Sequence, residues 1–313
     1  MSGIQKSVIR FDSANGSDQV TGYLYEDPSV RPKCILQISH GMCEYIERYA
    51  DFAAFMAKHG YLVCGNDHLG HGATSESGMT GYFAPENGGD YLLQDLHRMN
   101  SIVCRKYPGR PVILLGHSMG SFFARLYAML YPETISALLL SGTGGPNPLG
   151  RLGIFLTGLL SKIRGPQHRS KWINDLAFGQ YLKKIDSPNT PYDWITRDTD
   201  IVEAYSRDEK CTFVFTVSAF HELMRALEAV SSPRWAQRMP KKLPVALFSG
   251  DMDPVGDYGK GVKKVYEMLR QAGVEDVELK LYPGARHEVL NETNRAEVYE
   301  DMLAWCEKHL AKG

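Results

Sequence analysis

Gly116-His117-Ser118-Met119-Gly120 puts a serine between two glycines, at the point where a strand-like run meets a helix-like one. The spacing alone is common by chance and proves little; its setting carries the weight. The apolar run Val112–Leu115 is short and bounded by Pro111 and Gly116, which predicts a buried strand. In "SFFARLYAMLYP" the apolar residues Phe122, Phe123, Leu126, Tyr127 and Leu130 fall on one helical face closed by Pro132. A strand that turns sharply into a helix through such a motif lifts the serine hydroxyl clear of the sheet. The flanking glycines leave no side chain where strand and helix crowd each other. Ser118 is therefore the candidate nucleophile.

A serine hydroxyl needs a neighbouring base, and the base needs an orienting carboxylate. Around this kind of turn the chain order is serine, acid, histidine. Of ten histidines, two follow the late apolar run "VALFSG": His287 and His309. His309 falls inside the terminal helical pattern. His287 follows "VELKLYPGA" on a glycine-containing loop just past a strand end, where a base can reach across the sheet edge. The acid belongs on the loop "GDMDPVGDYG". Asp253, restrained by Pro254, is favoured over Asp251, still in the turn, and Asp257, which the pattern places as a cap on the next helix. A base of this kind predicts a rate that rises with pH through an ordinary imidazole value of ~6.5. Two N–H donors must meet the tetrahedral oxyanion. Met119, at the start of the helix, offers one; Met42, after the turn at Gly41 in "SHGMCEY", offers the other.

The elements that must position these groups alternate along the chain. "KSVIRF" and "QVTGYLYE" flank a turn-rich segment and read as a hairpin. Strand-like runs at "KCILQIS", "YLVCGND", "PVILLG", "SALLLSG", "PVALFSG" and "VELKLY" are interleaved with helical patterns near 45–58, 90–107, 258–272 and 294–311. This alternation predicts an α/β fold: a mostly parallel sheet with helices on both faces and its site beyond the carboxyl ends of the strands. Residues 145–232 interrupt it. They open on "GTGGPNPLG", close on "SSPRW", and are helical between, which predicts a helical cap on a core of 1–144 and 233–313. In "TFVFTVSAFHELMRALEAV" residues 213, 217, 220, 223, 224, 227 and 230 form one apolar stripe, with His221, Glu222, Arg225 and Glu228 opposite. "PLGRLGIFLTGLLSKIRG" is apolar on almost every side, with Leu149, Leu152, Ile154, Phe155, Leu156, Leu159, Leu160 and Ile163. Such a segment buries itself in the core, lines an acyl tunnel, or makes transient contact with a lipid surface.

With 313 residues, 43% of them hydrophobic, the chain can bury a substantial core. A formal net charge of −1 and no basic block argue against nucleic acid as a partner. The six cysteines form no C-x-x-C pair, and several sit in apolar runs. With no signal-peptide pattern at "MSGIQKSVIRF" and no apolar stretch long enough to span a bilayer, a cytoplasmic protein is expected. His68 and His71 in "DHLGHG" suggest a metal at first sight, but no third ligand accompanies them. No metal and no cofactor are expected.

Five ordered motifs resemble a known family over nearly the full chain: "SHGMCEYIERY" (39–49), "GNDHLGHGATS" (65–75), "LLGHSMGS" (114–121), "FSGDMDPVG" (248–256) and "GARHEVLNE" (284–292). They resemble the α/β-hydrolase-fold serine hydrolases, and within them the monoacylglycerol lipase and bacterial lysophospholipase group. "DTDIVEAYSRDEKC" and "FTVSAFHELMRAL" resemble that group's cap. The resemblance departs at Cys43 and Tyr45, where the family usually has glycine and histidine. It implies Ser118 as nucleophile, Asp253 as acid, His287 as base, and Met42 and Met119 as oxyanion donors. It implies a cofactor-free esterase for single-chain acyl esters, monoacylglycerols or lysophospholipids. Another carboxylesterase or thioesterase, or an aminopeptidase-like amide hydrolase, is the alternative. A ligand receptor on this fold would have no use for a matched acid and base.

Overall fold

The computed structural model describes residues 3–75, 78–148 and 150–311. Strand β1 (Gln5–Asp12) and β2 (Gln19–Glu26) make the expected hairpin, followed by β3 (Cys34–Ser39), β4 (Tyr61–Asn66), β5 (Val112–His117), β6 (Ala137–Ser141), β7 (Val245–Gly250) and β8 (Val277–Tyr282). They form one sheet in the order β1-β2-β4-β3-β5-β6-β7-β8. β2 is antiparallel to both its neighbours, and every pairing from β4 to β8 is parallel. The helices are α1 (Ala50–Lys58), α2 (Gly88–Lys106), α3 (Met119–Leu130), α4 (Gly150–Arg164), α5 (Lys171–Phe178), α6 (Thr199–Arg207), α7 (Val217–Val230), α8 (Pro233–Arg238), α9 (Lys260–Gln271) and α10 (Arg295–Leu310).

Alternation along each strand divides the core between two faces. Ile113 and Leu115 of β5 join Phe52 and Met56 of α1 and Val298 and Met302 of α10. Val112 and Leu114 join Leu92 and Leu96 of α2, Phe122 and Phe123 of α3 and Val262 of α9. Buried on both faces, the central strands are continuously apolar, which is why they were readable as runs.

Helices α4 to α8 lie between β6 and β7. α7 packs on α2 and α3, and α4 packs on α7. The stripe expected along α7 divides in two: Val217, Phe220 and Val230 are buried, whereas Leu223, Met224 and Leu227 face a cavity. Glu222, expected on the polar side, is itself buried and accepts the Gly89 N–H at 3.3 Å. Helix α4 does not bury all its apolar surface. Leu152 is 52% exposed, Phe155 64%, Leu159 45% and Ile163 66%. Their spacing makes one outward stripe, opposite the side where Gly153 and Gly158 sit close to Met224 and His221. Leu149 lies outside the described residues. Leu130, read as part of the core face of α3, is also exposed, while Arg125 on the same helix is fully buried.

Candidate active site

The turn from β5 to α3 places Ser118 at φ 51°, ψ −121°. A left-handed backbone at a residue other than glycine costs about 1–3 kcal/mol and persists only where its surroundings hold it. Here the Ser118 N–H donates to the Ser141 carbonyl of β6 at 2.9 Å. The Ser121 hydroxyl donates to the Ser118 carbonyl at 2.6 Å. The flanking glycines are required by distance. A Cβ at Gly116 would lie 2.6 Å from the Ala124 Cβ, and one at Gly120 only 2.0 Å from the Ser39 carbonyl oxygen. Met119 is the first residue of α3, so its N–H has no intrahelical acceptor.

Asp253 and His287 meet beyond the ends of β7 and β8. The His287 Nδ1 lies 3.0 Å from both carboxylate oxygens, and Asp253 is fully buried. Asp253 is steadied by the Val255 N–H at 2.9 Å. The Nδ1 proton therefore points at Asp253 and leaves Nε2 free to act as a base. Burial works to lower the His287 pKa, but the charge and hydrogen bond of Asp253, with Glu288 and Glu44 behind them, outweigh it and raise it. Asp251 instead accepts the Gly284 N–H at 2.7 Å, closing the turn. Asp257 is not a helix cap: α9 begins after Gly259, and Asp257 has a left-handed φ of 47° and lines the cavity. His309 pairs with Asp276 at 3.1 Å, away from these groups.

The segment carrying Met42 is held by residues the sequence reading passed over. The His68 N–H donates to His40 Nε2 at 2.9 Å, so the His40 proton is on Nδ1, which donates to the Gly41 carbonyl at 2.8 Å. Burial, with His68 and His71 nearby, holds His40 neutral by pushing its pKa well down. The Gly41 N–H donates to the Glu44 carboxylate, which also accepts from the Tyr49 hydroxyl at 2.8 Å. Both ends of Gly41 are thus clamped, and the trans peptide fixes the direction of the Met42 N–H. Arg48 completes the cluster, reaching Glu44 at 3.2 Å and holding Glu288 by two bonds of 2.7 Å each. Burial opposes the charge on Glu288, yet Arg48 keeps its pKa low, while burial pushes that of Glu44 up. The i, i+4 spacing of Glu44 and Arg48 was visible in sequence; Glu288 was not. His40 is also the third ring beside His68 and His71, at 4.2 and 5.1 Å. Both its nitrogens are occupied by backbone bonds, so it has no lone pair for a metal.

Ser118, His287, Met42 and Met119 line one cavity of about 710 Å³. The insertion supplies apolar wall from α4 (Leu152), α5 (Leu176) and α7 (Leu223, Met224, Leu227). The Trp194 ring lies tilted against His287 at 5.0 Å between centroids, and the Glu288 N–H donates to the Ile195 carbonyl at 2.7 Å, so the loop of the histidine leans on the insertion. At the two positions that depart from the family pattern, Cys43 lines the cavity with a left-handed φ of 54°, the conformation that favours glycine. Tyr45 reaches the insertion instead, bonding Asp208 at 2.7 Å.

Residues 30–294 match the family model described as serine aminopeptidase, S33. A monoacylglycerol lipase of Mycolicibacterium smegmatis is 28% identical over 90% of this chain and 91% of that protein. A monoglyceride lipase of Rattus norvegicus is 26% identical over 95% of this chain and 90% of its own length. A thermostable carboxyl esterase from Bacillus coagulans, solved in complex with glycerol, superposes with a TM-score of 0.92 at 32% identity, covering 99% of both chains. The chain belongs to the serine aminopeptidase, S33 family and is a serine hydrolase of the α/β-hydrolase fold.

Proposed function

We propose that this serine ester hydrolase cleaves monoacylglycerols through an acyl-enzyme on Ser118. The Ser118 Oγ attacks the ester carbonyl while His287 Nε2 takes its proton, and Asp253 holds the imidazole and stabilises its charged form. The N–H groups of Met42 and Met119 meet the oxyanion. Collapse breaks the ester bond, and glycerol leaves with the proton from Nε2. Water, deprotonated by His287, then attacks the acyl carbonyl, releasing the fatty acid and restoring Ser118. The observation that carries this reading is the Asp253–His287 pair on the wall of the same apolar cavity that Ser118 lines.

The charge of the cavity favours a neutral head group. Among its described lining residues, Glu44 and Glu288 are paired with Arg48 and Asp175 with Lys171, which leaves Asp257 beside one lining cation, Lys264. Arg48 is committed to Glu44 and Glu288, and no arginine is among the described lining residues, so none of them offers a guanidinium to a phosphate. The same pairing occupies the carboxylate that a substrate's free amino group would need, which disfavours peptides. Similarity to a monoacylglycerol lipase and to an esterase solved with glycerol points the same way.

The acyl chain lies along the apolar wall of the insertion, which acts as a cap. Each methylene removed from water contributes about 0.8 kcal/mol. Trp172 and Leu176 of α5 are also more than half exposed, and Leu152 of the α4 stripe and Leu176 line the cavity as well. Exposed apolar residues, two of them at the cavity, support a cap that rests on a lipid surface and passes substrate inward. No helix among the described residues is long and apolar enough to cross a membrane. The six cysteines are free, which favours the reducing cytoplasm. Purified protein assayed on acylglycerols, lysophosphatidylcholine and aminoacyl nitroanilides tests the reading. Medium-chain monoacylglycerols should be the best substrates and Ser118→Ala inert; faster turnover of either other class overturns it.

A further inference from the structure

Arg125 lies about two turns into α3 from Ser118 and is 0% exposed. No carboxylate pairs with it among the described residues, and burial alone pushes its pKa down to about 9. A buried charge without a counter-ion must be met by other dipoles. Those that meet Arg125 come from both passages between core and insertion. Its Nη1 donates to the Gly144 carbonyl at 3.0 Å and approaches the Thr143 Oγ1 at 3.5 Å, where the chain leaves β6. Its Nη2 donates to the carbonyl of Val230, the last residue of α7, where the chain returns. The end of a helix carries unsatisfied carbonyls and partial negative charge, which suits a cation. The guanidinium also lies 4.1 Å from the Trp235 ring of α8, whose Nε1 donates to the Arg125 carbonyl at 3.1 Å. Thr143 is linked to the nucleophile turn as well: its Oγ1 lies 2.7 Å from the Ser121 hydroxyl, which bonds the Ser118 carbonyl.

We infer that Arg125 is a positioning residue that fixes the insertion on the nucleophile helix and thereby sets the acyl-chain selectivity of hydrolysis at Ser118. The inference rests on the proposed function, in which α4 and α7 wall the acyl site. One side chain ties Gly144, beside the cavity, to α7, which supplies Leu223, Met224 and Leu227. An acetyl ester needs the nucleophile and base but little of that wall. A long chain needs the wall in register with Ser118.

The test compares Arg125→Met and Arg125→Lys with wild type on monoesters differing only in acyl length, after circular dichroism has shown each to be folded. Met fills much of the space but holds neither passage; Lys keeps the charge and can reach one. In Arg125→Met the ratio of kcat/KM for long against acetyl esters should fall roughly threefold to thirtyfold, mainly through KM on long chains. Arg125→Lys should lie between. Amide hydrogen exchange should quicken in residues 143–148 and at the end of α7, and labelling of Ser118 by a small fluorophosphonate should persist. Unchanged chain-length ratios in folded variants overturn the inference, as does equal loss at every length. If neither variant folds, Arg125 is a folding element and the positioning claim falls. Ser118→Ala, run in parallel, keeps the two readings apart: activity surviving there overturns the site itself, whatever Arg125 does.

Discussion

The core edge that holds Ser118, Asp253 and His287 and helix α4, whose Leu152 lines the same cavity as Ser118, follow opposite rules. At the core edge Asp253, His287, His40 and Glu44 are buried, and each is fixed by hydrogen bonds to backbone or side chain. On α4, four large apolar residues between 45% and 66% exposed face outward, with no covering element among the described residues. A reaction that develops charge needs donors and acceptors fixed in advance, since reorganising them would add to the barrier. Binding a hydrocarbon needs area and little direction. On the proposed reading, chemistry sits on the sheet edge and chain selection on the insertion.

Changes on the two sides should therefore differ in size and kind. Asp253→Asn should lower kcat roughly 10⁴-fold, because the imidazole loses the partner that sets its tautomer. Asp251→Asn disturbs one turn bond and should cost far less. Kinetics of both on one soluble ester decide it, and the reverse ranking would show the wrong aspartate at work. Gly120→Ala forces a methyl group into the Ser39 carbonyl. If the variant folds, displacement of Met119 should cost on the order of 10²-fold in kcat for every chain length. Loss restricted to long chains would erase the division between the two regions.

Phe155→Asp with Leu159→Asp tests the other side. Activity on long-chain monoacylglycerol presented on vesicles should fall roughly tenfold, while activity on a dissolved acetyl ester should hold. Equal loss on both would take α4 out of substrate delivery. The smallest effect is in pH. Free His287 must lose a proton to act as a base, so kcat/KM should rise with pH. The raised pKa moves the midpoint above the ordinary imidazole value of ~6.5. Asp253→Asn should move what activity remains toward lower pH. A wild-type profile flat from acid to neutral pH would argue against a histidine base.

The strands were legible because parallel strands covered on both faces need unbroken apolar runs, as Val112–Leu115 and Leu138–Leu140 provide. The turn at Ser118 was legible because its crowding demands glycine at fixed offsets. Three features were not. Glu288 meets Arg48 across the fold, and no local spacing announces a contact between residues so far apart. For α4, apolar on almost every side in the sequence, core burial, an acyl tunnel and a lipid surface stay open alternatives, because periodicity reports that a face is apolar and not what covers it. Arg125 breaks an otherwise apolar helix, a pattern that ordinarily marks a solvent side and gives no sign of burial; at that point α3 is covered by the sheet and by α7.

The position at which the enzyme becomes covalently modified tests the nucleophile most directly. Wild-type protein should react with a long-chain alkyl fluorophosphonate to one adduct per chain, mapped by peptide mass spectrometry to Ser118, with monoacylglycerol slowing the labelling. The Ser118→Ala protein should remain unmodified and inactive. An adduct on another residue, or full labelling of Ser118→Ala, would contradict the assignment of the nucleophile and with it the proposed chemistry.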